Sequence, residues 1–398
     1  VKKFVDINSS VKWVGVVDQD MKKFHGEELS IPSGTTYNSY LIRDEKTVLV
    51  DTVIHAFSEE WLEHLKREID LKEIDCIVMN HSEPDHSGAL VQLMKEIPDT
   101  PIYCTEMGRE IIEAYYGGDY KYNIVKTGDK IDIGSRELIF VEMKMLHWPD
   151  SMMSYLPGDN ILFSNDAFGQ HYGANGLFND MVDQSVLEYE CLKYYACILT
   201  PFSKILKMKL EEVGGLNLAI DTICPSHGVI WRDNPMQIVE KYSRWCDDYM
   251  EDRVVIAYDT MWHSTKKMAE SIADGIREVR PDLELLLFNS AKNSENDIIT
   301  EMFRSSAILF GSSTINNGIL PSMAALLEGV RGVNFQKKVV AAFGSYGWNG
   351  RSLLLLNEEL GKTRMQVVKE GIKVKWNLDD ETREQCMDFG REFAKEIK

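Results

Sequence analysis

Short runs of β-branched and apolar residues dominate the first fifty positions. Residues 11–17, 36–42 and 47–50 each have the texture of a strand, and the last run ends at Asp51. Residues 57–67 switch to helical spacing, with Ser58 as the N-cap and Glu59 and Glu60 in the first turn, where their charge complements the helix dipole. A strand over 74–79, a helix over 87–95, a strand at 102–104, a helix over 106–116 and strands at 137–143 and 160–164 follow. This order predicts a layered sheet sandwich flanked by helices. Pro235, after Asn234, opens a further helix, and residues 247–253 read as its charged exit, which puts a domain boundary near Glu251.

Beyond that point the pattern becomes a regular alternation. Residues 254–258 (VVIAY), 283–288 (LELLLF), 307–310 (AILF) and 339–343 (VVAAF) are near-continuous apolar runs, as expected of parallel strands covered on both faces. Helical stretches at 265–278, 321–329, 352–360 and 381–395 lie between or after them, which is the layout of a doubly wound α/β domain. The chain of 398 residues is longer than one core usually organises, and it reads as two α/β domains, 1–250 and 251–398.

Composition narrows the class. Hydrophobic content of 44% and charged content of 27% fit a globular protein, and no apolar run approaches the length of a membrane span. Residues 1–15 contain two lysines but no long apolar segment and no small-residue cleavage site, so no secretory signal is expected and the cytoplasm is the expected location. Seven cysteines, odd in number and without a C-x-x-C pair, argue against a disulfide framework, a zinc knuckle or an iron–sulfur site. They read as mostly buried thiols. A formal charge of −19 without any Lys/Arg-rich stripe argues against nucleic acid, since phosphates repel an acidic surface. The same charge serves solubility and suits a locally basic protein partner. No G-x-G-x-x-G follows the first strand of the second half, which disfavours a nicotinamide site.

The densest chemistry lies in residues 79–90, MNHSEPDHSGAL. His81, Glu83, Asp85 and His86 bring two imidazoles and two carboxylates to the end of an apolar run, where a buried strand stops. In an extended loop, alternation turns His81, Glu83 and Asp85 to one side and sends His86 another way, so that one segment serves two metal ions. The competing reading is a solvated loop ahead of a helix starting near Ser87. His147, Asp166 and His227 also follow strand-like runs. Taken singly, such a histidine is more often a hydrogen-bonded core or surface residue, and only the joint pattern points to metal. Asp51 is either a residue orienting a ligand from outside or a turn-capping one.

In the second half, residues 258–267 (YDTMWHSTKK) join the first strand to the first helix and offer hydroxyls and backbone N–H groups at a helix N-terminus, a natural phosphate cradle. The candidate ligand residues there are Thr260, Met261, Trp262, His263, Ser264 and Thr265. Residues 311–318 (GSSTINNG) add Ser312, Ser313, Thr314 and Asn317. Residues 344–350 (GSYGWNG) add Ser345, Tyr346, Gly347 and Trp348, with Tyr346 and Trp348 as candidate stacking residues. One such loop is no more than a turn; three at the carboxyl ends of strands in one sheet point to a flavin.

The motif H-S-E-P-D-H, followed by His147, Asp166 and His227, resembles the metallo-β-lactamase superfamily, and Glu83, where its hydrolases usually carry His, matches the flavodiiron branch. The 258–267 loop is similar to the flavodoxin phosphate loop, with His263 in place of the usual Gly, a replacement that requires position 263 to avoid a strained φ. The resemblance spans nearly the whole chain. It implies an α/β protein with an N-terminal metallo-β-lactamase-like αββα sandwich followed by a flavodoxin-like doubly wound parallel sheet. It also implies FMN and two Fe ions, with His81, Glu83 and His147 on one iron, Asp85, His86 and His227 on the other, and Asp166 bridging. Four imidazoles and three carboxylates without a thiolate suit iron or manganese better than a structural zinc.

Reduction of O2 to water and of NO to N2O is the function that this resemblance implies. A separate electron donor, rubredoxin-like or a reduced deazaflavin, is expected, because the chain ends at Lys398 without paired C-x-x-C motifs. A head-to-tail homodimer or a dimer of dimers is expected too, each FMN facing the diiron site of the other subunit. His25, His171 and Tyr195 are candidate proton donors for catalysis, against the plainer readings of loop histidines and a core tyrosine. Trp148 is expected to shield the metals. Two other functions stay open. A zinc-dependent hydrolase on the same fold, with the flavodoxin-like part as redox regulator, is opposed by Glu83, which makes the site harder and more anionic. A metal-free flavin carrier would make the ligand set a coincidence.

Overall fold

The computed structural model describes residues 3–397. It divides into two compact units: Val1–Tyr194 with Phe202–Arg244, and Tyr195–Pro201 with Trp245–Lys398. The second unit thus takes in a short excursion, Tyr195–Pro201, far upstream of the expected boundary.

Two sheets form the first unit. In one, Val5–Asp6, Val11–Trp13, Tyr40–Arg43 and Thr47–Val50 pair antiparallel, and Ile74–Val78, Ile102–Cys104 and Tyr122–Ile124 continue in parallel. In the other, Lys130–Asp132, Glu137–Glu142, Met152–Leu156 and Ile161–Asn165 are antiparallel, and Thr222–Pro225 joins in parallel. Alternate side chains from both sheets, among them Trp13, Tyr40, Val48, Phe140, Leu156 and Phe163, fill one core. Helices Ser58–Glu68, Leu90–Glu96 and Glu106–Tyr116 bury Trp61, Leu65, Leu93 and Ile112, giving the layered αββα sandwich.

Local expectations change in informative ways. The run 11–17 breaks at Gly15, where a Cβ would stand 2.3 Å from the Tyr37 carbonyl oxygen, and the run 36–42 breaks beside it. The inner pieces, Val16–Asp18 and Thr35–Tyr37, pair as a separate ribbon. Ser58 is not the N-cap: Phe57 is, and the Ser58 hydroxyl donates to the His55 carbonyl at 2.8 Å from inside the first turn. The helix expected over 87–95 comes as Pro84–Ser87 and Leu90–Glu96, because Pro84 at the first helical position starts it early. Helices Gln184–Tyr194 and Ser203–Gly214 were not anticipated.

The second unit is built on a parallel sheet in the order Glu284–Asn289, Glu251–Asp259, Ser305–Ser313, Gln336–Tyr346, with Arg364–Val367 and Ile372–Lys375 both pairing to the last. The three central strands are buried almost throughout. Glu284–Asn289, an edge strand, is only half-buried despite its LLLF run, which corrects the expectation of cover on both faces. Helices Ser264–Val279, Pro321–Val333, Arg351–Leu360 and Asp380–Ala394 lie where the spacing placed them, and Glu295–Arg304 is additional. The expected charged exit at 247–253 is partly strand: Arg253 is buried there between Glu284 and Glu301. Lys338 is also buried. Its Nζ donates to the Phe303 and Ser305 carbonyls at 2.7 Å each, closing the C-terminus of helix Glu295–Arg304.

None of the seven cysteines is in a disulfide, and of these seven only Cys197 is not fully buried. Among the described residues no helix is long and apolar enough to cross a membrane.

Candidate metal centre and flavin cleft

Two clusters of ligand-type side chains meet where strands of the first unit end. His81, Glu83, His147 and Asp166 form one, and Asp85, His86 and His227 the other, with one ligand atom per residue lying within 4.8 Å of the rest of its cluster. His81 lies beyond Ile74–Val78, His147 between Glu137–Glu142 and Met152–Leu156, Asp166 directly after Ile161–Asn165, and His227 just past Thr222–Pro225. One carboxylate spans both clusters. Asp166 Oδ2 lies 3.3 Å from His147 Nε2 and 3.6 Å from His81 Nε2, whereas Oδ1 lies 3.2 Å from His86 Nε2 and 3.8 Å from His227 Nε2. Glu83 Oε2 faces His81 and His147 at 3.2 and 3.5 Å, and Asp85 Oδ2 faces His227 and His86 at 3.0 and 3.3 Å. All four imidazoles therefore turn Nε2 inward.

The extended-loop expectation for residues 81–86 needs correction. Pro84–Ser87 is a helical turn, so Asp85 swings away from His81 and Glu83 and joins its neighbour His86. The segment still reaches both clusters.

Outer contacts fix the rings. His81 Nδ1–H donates to the Asp150 carboxylate at 3.0 Å, and His227 Nδ1–H to the Thr36 carbonyl at 2.6 Å, which sets the tautomer that leaves Nε2 free. Asp150 escaped the sequence reading; its only signal was a carboxylate three positions after His147. Asp51 accepts the Asn80 backbone N–H at 2.7 Å and has φ +53°, so it shapes the chain just ahead of His81 rather than holding a ligand ring. Burial pushes its carboxyl up to about 7. The Trp148 ring stands edge-on to His81 at 5.3 Å and covers it.

These residues fit a metal pair. Asp85 Oδ1 and both nitrogens of His86 are buried without a hydrogen-bond partner. Each such atom left unpaired costs about 1–3 kcal/mol, and a cation held by the inward-facing ligand atoms relieves part of that cost. Burial alone would neutralise Asp166, yet His86, His147 and His81 hold its carboxyl well below the usual range, so it faces the clusters ionised.

In the second unit the loop after Glu251–Asp259 leads into helix Ser264–Val279 beside a cleft. Met261, Trp262, Ser264, Ser313 and Thr314 line one part of it, and Ser345, Tyr346, Gly347, Trp348 and Trp376 the rest. Thr265 lies behind them. Its hydroxyl is 2.8 Å from Ser313 Oγ and 2.9 Å from Ser345 Oγ, which ties the three loops together. Ser312 does not line the cleft, because its hydroxyl accepts the Leu320 N–H and donates to the Ser313 carbonyl. Asn317 is outside it too, exposed and bonded to Asn349. Thr260 and His263 are absent from the lining, although the buried Thr260 hydroxyl has no hydrogen-bond partner. The condition set for His263 fails: it adopts φ +67° as the N-cap, the left-handed conformation that the usual Gly would take freely. Histidine is among the residues found there, at a cost of about 1 kcal/mol.

Trp262, Trp348 and Trp376 are 85%, 77% and 68% exposed around this cleft. Three bare indoles beside a helix N-terminus and a set of hydroxyls suit a flat heteroaromatic ring carrying a phosphate tail. Trp376 had no motif to announce it.

Residues 35–228 match the family described as ODP family beta lactamase, and residues 256–390 match the flavodoxin family. The chain is 50% identical over 392 residues to an anaerobic nitric oxide reductase flavorubredoxin of Escherichia coli, covering 98% of this chain and 82% of that protein. Among solved structures, the rubredoxin oxygen:oxidoreductase of Desulfovibrio gigas matches with a TM-score of 0.95 at 36% identity, over 99% of this chain and 98% of that one. The flavodiiron protein of Giardia intestinalis matches at 0.94 with 33% identity, over 99% and 97%. The chain belongs to the flavodiiron protein family.

For a flavodiiron protein, the surroundings of the metal clusters matter as much as the ligands. His25 Nε2 lies 3.5 Å from Glu83 Oε1, its ring 6.3 Å from that of His147. The His171 ring is 4.9 Å from that of His227, with Nδ1 bonded to the Thr35 hydroxyl at 2.8 Å. Burial, reinforced by His227 and His25, keeps the His171 pKa well below its ordinary value, so the ring is neutral. Tyr195 is a correction. Its ring packs 5.4 Å from both Trp245 and Phe303 in the second unit, and Tyr194 is the phenol beside the clusters, 5.2 Å from His171 and 6.4 Å from His227. Adjacent residues on a helix point about 100° apart, so the choice between two neighbouring tyrosines decides which surroundings each meets.

Proposed function

We propose that this chain is a flavodiiron reductase that converts NO to N2O and O2 to water, with residues 1–250 supplying the iron ligands and residues 251–398 the FMN site. The observation that carries the reading is Asp166, whose two oxygens divide between the two ligand clusters. His81, Glu83 and His147 would hold one iron, Asp85, His86 and His227 the other, and Asp166 would bridge. When bound, a reduced FMN supplies two electrons and the iron pair together two more, enough for four-electron reduction of O2 and in excess of the two that a pair of NO molecules needs.

The chain's own residues do the rest. His25, about one-third exposed, links solvent to the Glu83 side of the pocket and would deliver protons there, while neutral His171 and the Tyr194 phenol would position small ligands by hydrogen bonding. Trp148 keeps bulk water off His81. In the other domain, the backbone N–H groups from His263 to Thr265 would hold the flavin phosphate, and Tyr346, Trp348 and Trp376 would flank its ring. Met261, Trp262, Ser264, Ser313, Thr314, Ser345 and Gly347 complete that site.

A separate donor, rubredoxin-like or a reduced deazaflavin, would feed the flavin; the similarity to the Escherichia coli flavorubredoxin and to the Desulfovibrio gigas rubredoxin oxygen:oxidoreductase supports the former. The exposed indoles at the cleft support a head-to-tail dimer that covers them. Seven cysteines outside any disulfide support a cytoplasmic setting. The test is anaerobic purification with metal and flavin analysis, then NO consumption and N2O release with reduced rubredoxin as donor. Two irons and one FMN per chain with N2O release are expected. Zinc in place of iron, or inertness toward both NO and O2, would overturn the reading.

A further inference from the structure

We infer that the two metal positions are unequal, the one formed by His81, Glu83 and His147 being the stronger and the first to fill. The inference deepens the ligand assignment proposed above and rests on it.

Two independent contacts favour that position. The first is Asp150. Its carboxylate, with 1% of the side chain exposed, accepts the His81 Nδ1–H at 3.0 Å and the Ser82 N–H at 2.7 Å. A buried carboxylate behind an imidazole makes the far nitrogen more basic and a better donor to a cation. The other position lacks such support. His227 Nδ1–H ends on the neutral Thr36 carbonyl, and His86 Nδ1 has no hydrogen-bond partner.

The second contact polarises the bridge. Ser226 donates its hydroxyl to Asp166 Oδ1 at 2.6 Å, drawing charge from the oxygen aimed at His86 and His227. Among the described residues no hydroxyl donates to Oδ2, the oxygen aimed at His81 and His147. Both effects have the same sign. One contact opposes them: His25 Nε2 draws on Glu83. It does so at 3.5 Å, from a ring 32% exposed, and on Oε1 rather than on the Oε2 that faces the cluster. Two shorter, buried hydrogen bonds outweigh one long, screened contact.

The test uses the full chain with FMN bound and metal removed, titrated anaerobically with Co(II) by calorimetry and visible absorbance. Two steps are expected. His147→Ala should abolish the tighter step and His86→Ala the weaker; the reverse pairing would overturn the inference. Asp150→Asn should weaken the tighter step about 10–100-fold and leave the weaker one within about threefold. Equal losses in both steps would refute the role of Asp150. Ser226→Ala leaves Asp150 intact and needs no buried charge to be removed, so it serves if Asp150→Asn does not fold. It should tighten the weaker step and narrow the gap, and an unchanged gap counts against the inference. Absence of both steps in the unaltered chain would instead overturn the ligand assignment itself, and the inference with it.

Discussion

Replacing Lys338 by Met should tilt the pH dependence of the second unit's stability. The amine is sealed against the Phe303 and Phe335 rings and donates to two carbonyls at 2.7 Å. Burial pulls its pKa from 10.5 down to about 7, and Asp248 and Glu251 restore only part of the loss. Between those two values the unfolded chain binds the proton that the folded chain has given up. Stability therefore rises with pH across that window and is flat below it. At about 1.36 kcal/mol for each pH unit, the rise approaches about 5 kcal/mol by the top of the window.

Met removes the burden of the buried charge but also two hydrogen bonds, each worth about 0.5–1.5 kcal/mol once the amine is neutral. The variant should then be the more stable protein at pH 6 and the less stable at pH 10. Urea unfolding of this unit, followed by loss of bound flavin at pH 6, 8 and 10, measures the crossing. Wild type and Lys338→Met curves that stay parallel over the whole range would refute the reasoning.

Other outcomes are open to direct measurement. Asp166→Ala should lose at least one iron and nearly all O2 and NO reduction while keeping FMN, because removing the bridge leaves two cations facing one another; full iron content with intact turnover would end the bridging assignment. Glu83→His should lower iron and raise zinc on metal analysis and suppress oxygen consumption, and unchanged metal content would show that position 83 does not choose the metal. Thr265→Val leaves the Ser313 and Ser345 hydroxyls without their shared partner and should weaken FMN binding about tenfold. Flavin titration of the apoprotein reads that out, and an unchanged Kd would exclude the hydroxyl as a support of the cleft.

What the sequence made legible were features that repeat along it. Four apolar runs at regular spacing announced the parallel sheet, and strand ends bearing His or Asp announced the metal clusters, because both patterns follow from chain geometry alone. What stayed hidden depended on direction rather than identity. Asp85 and His86 part from His81 and Glu83 only because Pro84 turns the chain into a helix, and no alternation rule for a loop foresees that. Tyr194 and Tyr195 look alike in sequence, yet the chain passes from an α-helix into a π-helical turn between them. Asp150 and Trp376 arrive from connecting turns with no periodicity to mark them. The edge strand Glu284–Asn289 carries as apolar a run as its buried neighbours, so its half-exposed state was not readable from composition.

The excursion Tyr195–Pro201 has a consequence for inheritance. The polypeptide leaves the first unit at Tyr194, returns at Phe202 and leaves again after Arg244, so no single cut in the gene separates a metal protein from a flavin protein. A fragment ending at residue 250 would carry a tyrosine, fully buried in the intact chain, without the Phe303 ring it packs against. Recombination that exchanged only the downstream half would meet the same mismatch at Tyr195 and at Cys197, whose thiol lies 3.6 Å from the Asn296 carbonyl. The two halves are thus stitched into one heritable piece, and shuffling one for another succeeds only when those few upstream residues travel with it.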